Sequence, residues 1–334
     1  MHMADALISP SVGAVMTAAS IGLLGYSIKK VKQDLDEKKI PLMGVMGAFV
    51  FAAQMINFTI PATGSSGHIG GGLLLAAVLG PHAAFLTIAS VLIIQSLFFA
   101  DGGLLALGCN IFNMGFFPCF LAYPLIYKAI TARNLSPKTI FWGSVLGVVV
   151  ALQLGSFSVV LETLASNQTE LTFTVFALLM QPIHLAIGIA EGLITAAVLS
   201  FIHQANPSMI GDNCKTGMLS FKNAVISLAV IAALTGGCLS LFASEHPDGL
   251  EWSIIGVTGN AELSSEGAVH ESLAQIQEKT AVLPDYNFSD ANEENAQLGT
   301  SVSGLIGGAI TLFVIAVIAK LLIINRKKAS VSSK

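Results

Sequence analysis

Charged residues are scarce in this chain of 334 residues: 11% carry a charge, whereas 54% are hydrophobic. Soluble domains are about 25% charged, so a soluble fold of this chain would expose a large apolar surface to water. The deficit excludes a soluble enzyme and a nucleic-acid binder, and the mean hydropathy of +0.76 agrees with this. The partner that the composition indicates is the lipid bilayer, with no role for nucleic acid.

Two other features are missing. The four cysteines form no disulfide framework, because Cys109, Cys119 and Cys238 fall in apolar segments and Cys214 falls in a polar loop. We expect the first three to be small buried side chains.

No phosphate-binding loop of the form G-x-x-x-x-G-K-[ST] occurs, so we expect no ATP hydrolysis by this chain and no bound organic cofactor.

The chain has instead a series of long apolar runs, which are typical of transmembrane helices. They predict an all-α integral membrane protein, a helical bundle of about nine transmembrane segments. The segments lie at 10–28, 41–60, 70–80, 83–99, 104–127, 139–161, 172–202, 223–243 and 300–324. The third is too short to cross a bilayer and runs into Pro81, so we expect a short or broken helix followed by a return.

The distribution of charge predicts the orientation. With the N-terminus outside, 15 of the 16 Lys and Arg residues fall on the cytoplasmic side, and Lys279 is the exception. Because short cytoplasmic loops are enriched in basic residues, we expect a multi-pass protein of the cell membrane with a cytoplasmic C-terminus. The external segment 244–299 carries 11 Asp or Glu residues and should be either flexible or ordered by contact with the bundle.

The chain terminus is the first candidate metal site. A free Met1 amine, the His2 amide nitrogen and the His2 Nδ1 can form fused chelate rings around one ion. Such a nitrogen-rich set suits Ni²⁺ or Cu²⁺, and Co²⁺ less strongly. The alternative is a start methionine that is followed by an accidental histidine.

The second candidate is a glycine-rich block at 63–72, between the second and third segments. Five glycines at 64–72 allow close approach of the backbone to another group. His68 would lie at the head of the short helix, where its imidazole could supply a fourth nitrogen to the same ion. The alternative is an interfacial histidine that caps a loop.

Other polar residues in or near the apolar layer could hold hydrogen bonds around such a site or pack helices together. These are Asp5, Asn57, Ser66, Gln95, Asn110 and Asn113. His184 and Glu191 share one face of the seventh segment, and Glu191 lies about 28 Å from its outer end. This depth suggests a position near the cytoplasm, where both residues could meet a buried partner or help to dock a cytoplasmic subunit.

The external segment contains Glu245-His246-Pro247-Asp248-Gly249-Leu250-Glu251-Trp252. His246, Asp248 and Glu251 could attract cations, but Pro-Asp-Gly is also an ordinary turn. The residues alone favour the turn.

These motifs together resemble a known family. The opening Met1-His2 followed by residues 4–10, the block at 64–72, the stretch 101–110 and the stretch 184–192 resemble CbiM/NikM-type subunits. These are the nickel- and cobalt-specific membrane subunits of energy-coupling-factor transporters. Residues 247–251 are similar to the Pro-Asp-Gly-Leu-Glu signature of the auxiliary CbiN/NikN-like subunit. Ala6 and Leu7 depart from the Gly and aromatic residue that are common in the family opening.

The resemblance implies a substrate-capture domain at 1–205, a cytoplasmic junction at 206–222 and a fused auxiliary domain at 223–334, so that nine segments divide into seven plus two. It also implies that Met1, His2 and His68 supply four nitrogens to Ni²⁺ or Co²⁺, and that uptake weakens as the pH falls because binding releases protons. Energy would come from two cytoplasmic ATPase subunits and a coupling transmembrane subunit.

Two other functions remain open at this point. Gly64-Ser65-Ser66-Gly67 fits a weak G-x-S-G pattern, so an intramembrane serine protease could use Ser66 with His184 as its base. An autonomous channel or secondary transporter is the other alternative, although no similarly broken pair of segments repeats in the two halves of the chain. The sequence leaves nickel and cobalt as equal candidates.

Overall fold

The computed structural model describes residues 2–34, 39–211, 217–260, 263, 267–288 and 293–332. The described part forms an all-α membrane bundle with one small β-hairpin, which confirms the predicted fold class. Seven helices in this part are long and apolar enough to cross a membrane, and a shorter apolar helix accompanies them.

The first two thirds of the chain form the larger group of helices. Its elements are α1 (Pro10–Asp34), α2 (Lys39–Gln54), β1 (Phe58–Ile60), β2 (Ser65–Gly67), α3 (Gly72–Leu79), α4 (Pro81–Phe99), α5 (Leu107–Ile111), a π-helical stretch (Phe112–Tyr127), α6 (Lys128–Thr131), α7 (Pro137–Ser166) and α8 (Phe173–Ala205). Single 3₁₀ turns occur at Asp5–Leu7 and Pro207–Ile210.

The last third adds two long helices and the external segment between them. Its elements are α9 (Phe221–Gly237), a 3₁₀ turn (Leu239–Phe242), α10 (Gly249–Thr258), α11 (Ala268–Thr280), a 3₁₀ turn (Pro284–Tyr286) and α12 (Glu293–Ser332). Both α9 and α12 pack against α2, so the two parts of the chain share one bundle.

The helix that runs from Leu107 to Thr131 is continuous but wide in its middle. Pro118 and Pro124 lie inside the π-helical stretch. Proline lacks an N–H donor and its ring displaces the carbonyl one turn earlier, so it disrupts the ordinary helical hydrogen-bond pattern. The widened helix brings Pro118 against Gly72, at the start of α3.

The short third segment corresponds to α3, which has eight residues and is entirely buried. The helix ends at Gly80, whose φ of 84° favours glycine, and Pro81 begins α4. The prediction for the second segment, 41–60, is wrong at its end. Helix α2 stops at Gln54, and Phe58–Ile60 instead pairs antiparallel with Ser65–Gly67. This pairing satisfies backbone groups that a longer helix would have used.

Cys109 and Cys119 are buried, as predicted. The prediction is wrong for Cys238, which is exposed because it follows the last residue of α9 and faces away from the bundle. Cys214 lies outside the described residues.

The described residues of the external segment are ordered by contact with the bundle. Helix α10 packs on α8, and α11 packs on α4. Asp248 is the N-cap of α10: its Oδ1 accepts hydrogen bonds from the amides of Leu250 and Glu251 at 2.8 and 2.9 Å. Glu251 Oε2 accepts from the Asp248 amide in return, at 3.0 Å. Pro-Asp-Gly is therefore a helix start, rather than the isolated turn that we expected.

Candidate metal site

The N-terminal segment enters the bundle and is held there through its backbone. Asn110 Oδ1 accepts from the Met3 amide at 2.8 Å, and Asn110 Nδ2 donates to the Met3 carbonyl at 3.2 Å. The Gly103 amide also donates to that carbonyl, at 2.9 Å. Since Met3 is fully buried, these contacts fix the backbone beside His2 inside the protein. Met1, the third predicted metal-binding residue, lies outside the described residues.

His2 and His68 come together although 65 positions separate them in the sequence. Their imidazole rings stack with centroids 5.1 Å apart and an interplanar angle of 12°. His68 Nδ1 lies 3.1 Å from the Ile69 carbonyl oxygen, which can only accept, so Nε2 is the deprotonated nitrogen of the neutral ring. Burial lowers the pKa of both histidines to about 3, so both rings are neutral at pH 7.

Asp101 lies directly beside His2. Its Oδ1 is 3.2 Å from His2 Nδ1, and its Oδ2 accepts a hydrogen bond from the Tyr286 hydroxyl. Burial raises the pKa of the Asp101 carboxyl, and the hydrogen bond from Tyr286 opposes that rise. The His2 Nδ1 that we predicted to be a ligand thus faces a carboxylate in this conformation.

The hairpin that precedes His68 is fixed by the external segment. The Ser66 amide donates to the Pro247 carbonyl at 2.8 Å, and Ser66 Oγ donates to the His246 carbonyl at 2.7 Å. On the same side, Trp252 Nε1 donates to the Thr63 carbonyl at 2.9 Å. The last third of the chain therefore supports the loop that carries His68.

The other side of this loop is fixed by polar residues inside the bundle. Glu191 Oε1 accepts from the Gly71 amide at 2.9 Å, and Gln54 Nε2 donates to the Gly70 carbonyl at 2.9 Å. Gln95 Nε2 donates in turn to Gln54 Oε1 at 2.8 Å. Gly71 has a φ of +76°, which residues other than glycine rarely adopt, so a glycine is needed at this turn.

A cavity of about 360 Å³ opens above the two imidazole rings. Several acidic side chains line it beside His2 and His68: Asp101, Glu245, Asp248, Glu251 and Asp285. Among the described residues, no group of three or more His, Cys, Asp and Glu side chains has the spacing of a metal site.

Three predicted polar residues lie near the terminal segment or the cavity. Asp5 Oδ1 accepts from the Ala106 amide at 3.0 Å, and burial raises the pKa of Asp5. Asn113 Nδ2 donates to Glu162 Oε2 at 2.7 Å and lies 3.8 Å from Met3 Sδ. Asn57 lines the outer cavity, and its carbonyl accepts from the Ser244 amide at 2.7 Å.

The prediction that Glu191 lies too deep to share a site with the N-terminus is wrong, while the docking role of His184 and Glu191 stays a prediction. Both are buried, with 1% and 3% exposure, and both line a small inner cavity together with His68. His184 Nδ1 lies 2.8 Å from the Met180 carbonyl, and Glu191 reaches Gly71 as described above. The depth of Glu191 along α8 did not predict this proximity to His68, because the glycine loop that carries His68 itself extends into the bundle.

The geometry does not favour the protease. Ser66 Oγ donates to a backbone carbonyl, and within the described part of the chain His184 Nε2 has no hydrogen-bond partner. A serine nucleophile needs a hydrogen bond to its base, which this pair lacks.

Sequence reasoning missed Tyr286, His270 and Gln277, which attach the external segment to the N-terminal half. His270 Nε2 lies 3.0 Å from the Ile8 carbonyl, and Gln277 Nε2 donates to the Gly102 carbonyl at 2.8 Å. Each is a single polar residue outside any recognisable motif, so no sequence pattern indicates its role.

Comparison with known proteins gives the family. The family described as the cobalt uptake substrate-specific transmembrane region, CbiM, matches residues 2–209. This chain belongs to the CbiM family. The PDGLE domain matches residues 222–324, so this family member also carries the auxiliary region in the same chain.

Relatives of this CbiM-family chain include fused and single proteins. A protein of Archaeoglobus fulgidus, named as a fused nickel transport protein NikMN, is 33% identical over 93% of this chain and 96% of its own length. The cobalt transport protein CbiM of Sorangium cellulosum is 28% identical over 63% of this chain and 94% of its own. A crystal structure of a truncated transition metal transporter superposes with a TM-score of 0.54 at 33% identity, and covers 60% of this chain and 98% of that one.

Proposed function

We propose that this chain is the substrate-specific membrane component of an ATP-driven importer, and that it captures Ni²⁺ or Co²⁺ from outside the cell. The observation that carries the proposal is the stacking of His2 on His68 at the base of an acid-lined cavity. Relatives named as nickel or cobalt transport proteins support the choice of ion.

In the proposed complex the Met1 amine, the His2 amide and Nδ1, and His68 Nε2 bind the ion as substrate. His2 Nδ1 would exchange its contact with Asp101 for the ion. Because burial holds both imidazoles neutral, neither ring needs to lose a net proton to bind the ion. The proton that His2 Nδ1 presents to Asp101 would move to Nε2, which frees the Nδ1 lone pair. Protons would then leave from the amine and the amide, so the affinity should fall as the pH falls.

The organisation that we propose has a capture domain at 1–205, a junction at 206–222 and an auxiliary domain at 223–334. Two ATPase subunits and a coupling membrane subunit would supply the energy, because the sequence has no phosphate-binding loop. Orientation with the N-terminus outside follows from the distribution of basic residues.

The test is metal binding by the purified full-length chain. We expect the parent to bind one Ni²⁺ or Co²⁺ ion in isothermal titration, and His2→Ala and His68→Ala to lose at least about tenfold in affinity. His246→Ala is the matched control, since His246 is exposed at the same end of the molecule. Parent-like binding by both His2→Ala and His68→Ala would show that the site lies elsewhere.

A further inference from the structure

Tyr286 and Asp101 form a connection from the last third of the chain to His2. The Tyr286 hydroxyl donates to Asp101 Oδ2, and Asp101 Oδ1 lies 3.2 Å from His2 Nδ1. The Asp101 side chain is 22% exposed and borders the outer cavity, so without a partner on Oδ2 it could turn away from His2. The hydroxyl of Tyr286 therefore restrains the carboxylate beside the predicted ligand.

Tyr286 is itself held rigidly. Its ring stacks on Phe99 with centroids 5.1 Å apart, and meets Phe51 edge-on at 6.4 Å. Ser303 Oγ donates to the Tyr286 carbonyl at 3.0 Å, and the Tyr286 amide donates to the Leu283 carbonyl at 3.0 Å. The Tyr286 ring is thus fixed by apolar packing, and the Tyr286 backbone is fixed by hydrogen bonds. Together they determine where the hydroxyl lies.

The backbone at this point is unusual. Asp285 and Tyr286 have φ values of 49° and 62°, in the left-handed region that residues other than glycine rarely occupy. Such a conformation is unfavourable for these residue types and persists where surrounding contacts enforce it. The conformation directs the Tyr286 hydroxyl into the bundle, toward Asp101.

A divalent ion in a buried site needs compensating negative charge, and the deprotonated His2 amide of the proposed ligand set supplies only one of the two charges. Among the described residues, Asp101 is the carboxylate recorded within hydrogen-bond distance of His2. We propose that Tyr286 is a positioning residue for metal capture. It holds Asp101 beside the site, so that the carboxylate compensates the charge of the bound ion after His2 Nδ1 has exchanged it for the ion. This inference rests on the proposed function, and it gives the auxiliary region a direct contribution to affinity.

The experiment is a double-mutant cycle on the full-length chain, with Ni²⁺ affinity measured by titration against a competing chelator. Tyr286→Phe keeps the packing on Phe51 and Phe99 and removes only the hydroxyl. We expect it to weaken the affinity about tenfold, and Asp101→Asn to weaken it at least as much. Because Tyr286 acts through Asp101, adding Tyr286→Phe to Asp101→Asn should cause no further loss.

Tyr26→Phe is the matched control, because Tyr26 is exposed on α1 and its ring contact with His82 does not need the hydroxyl. Unchanged or tighter binding by Tyr286→Phe would overturn the inference. So would a full tenfold loss in the Asp101→Asn background, because the effect would then not pass through the carboxylate. If the parent itself bound neither Ni²⁺ nor Co²⁺, the proposed function would fail, and this inference with it.

Discussion

At the scale of single residues, the sequence predicted the two histidines that meet in the structure and several polar residues around them, but missed others. His2 and His68 were named from motif and chelate chemistry, and the structure brings their rings together. Glu191 was placed wrongly, because a count of residues along α8 says nothing of how deep the loop at Gly70–Gly71 reaches. Tyr286 could not be found, since its role depends on a tertiary contact with Asp101.

Glu191 gives a prediction at this scale. Glu191→Ala removes the acceptor of the buried Gly71 amide, and an unsatisfied buried donor costs about 1–3 kcal/mol. We expect a lower midpoint of thermal unfolding in detergent, whereas Glu191→Gln, which keeps an acceptor oxygen, should lose less. Glu245→Ala is the control, because Glu245 is an exposed carboxylate. If Glu191→Ala unfolded at the temperature of the parent, Glu191 would not support this loop.

At the scale of elements, the long helices could be predicted from the sequence. In a bilayer, a long apolar segment must satisfy its backbone hydrogen bonds internally, and a helix does this. The hairpin β1–β2 was not predicted. Its three-residue strands pair across the turn at 61–64, and the neighbouring segment 244–252 supplies further backbone partners. Such pairing depends on chain segments that are far apart in sequence, which periodicity does not report.

The contact between α10 and α8 is testable at Gly249. A Cβ at this position would lie 2.8 Å from Ile187 Cδ1 and 3.1 Å from His184 Cε1. We expect Gly249→Ala to displace α10 at a cost of about 1–3 kcal/mol, seen as faster proteolysis of the external segment.

The matched control is Gly22→Ala, since a Cβ built at that helical glycine meets no described atom within 4 Å beyond the adjacent backbone of its own helix. Equal rates of proteolysis for Gly249→Ala and the parent would mean that α10 does not need this close approach.

At the scale of the whole molecule, the last third of the chain contacts both halves of the candidate site. Residues 244–252 bond to the hairpin before His68, while His270, Gln277 and Tyr286 reach the N-terminal segment and the Gly102 loop. The fused chain thus places the auxiliary region where it can order the site. The sorted charges that predict the membrane orientation are consistent with a site that faces outward, and the orientation stays a prediction.

The central claim is that the chain terminus itself binds the ion, and one added residue tests it most directly. An alanine placed before Met1 leaves every side chain in place but moves the free amine away from His2. Loss of one of four ligands should weaken Ni²⁺ and Co²⁺ binding by about a hundredfold or more, with an unchanged unfolding midpoint. Binding as tight as that of the parent, at one ion per chain, would contradict the claim.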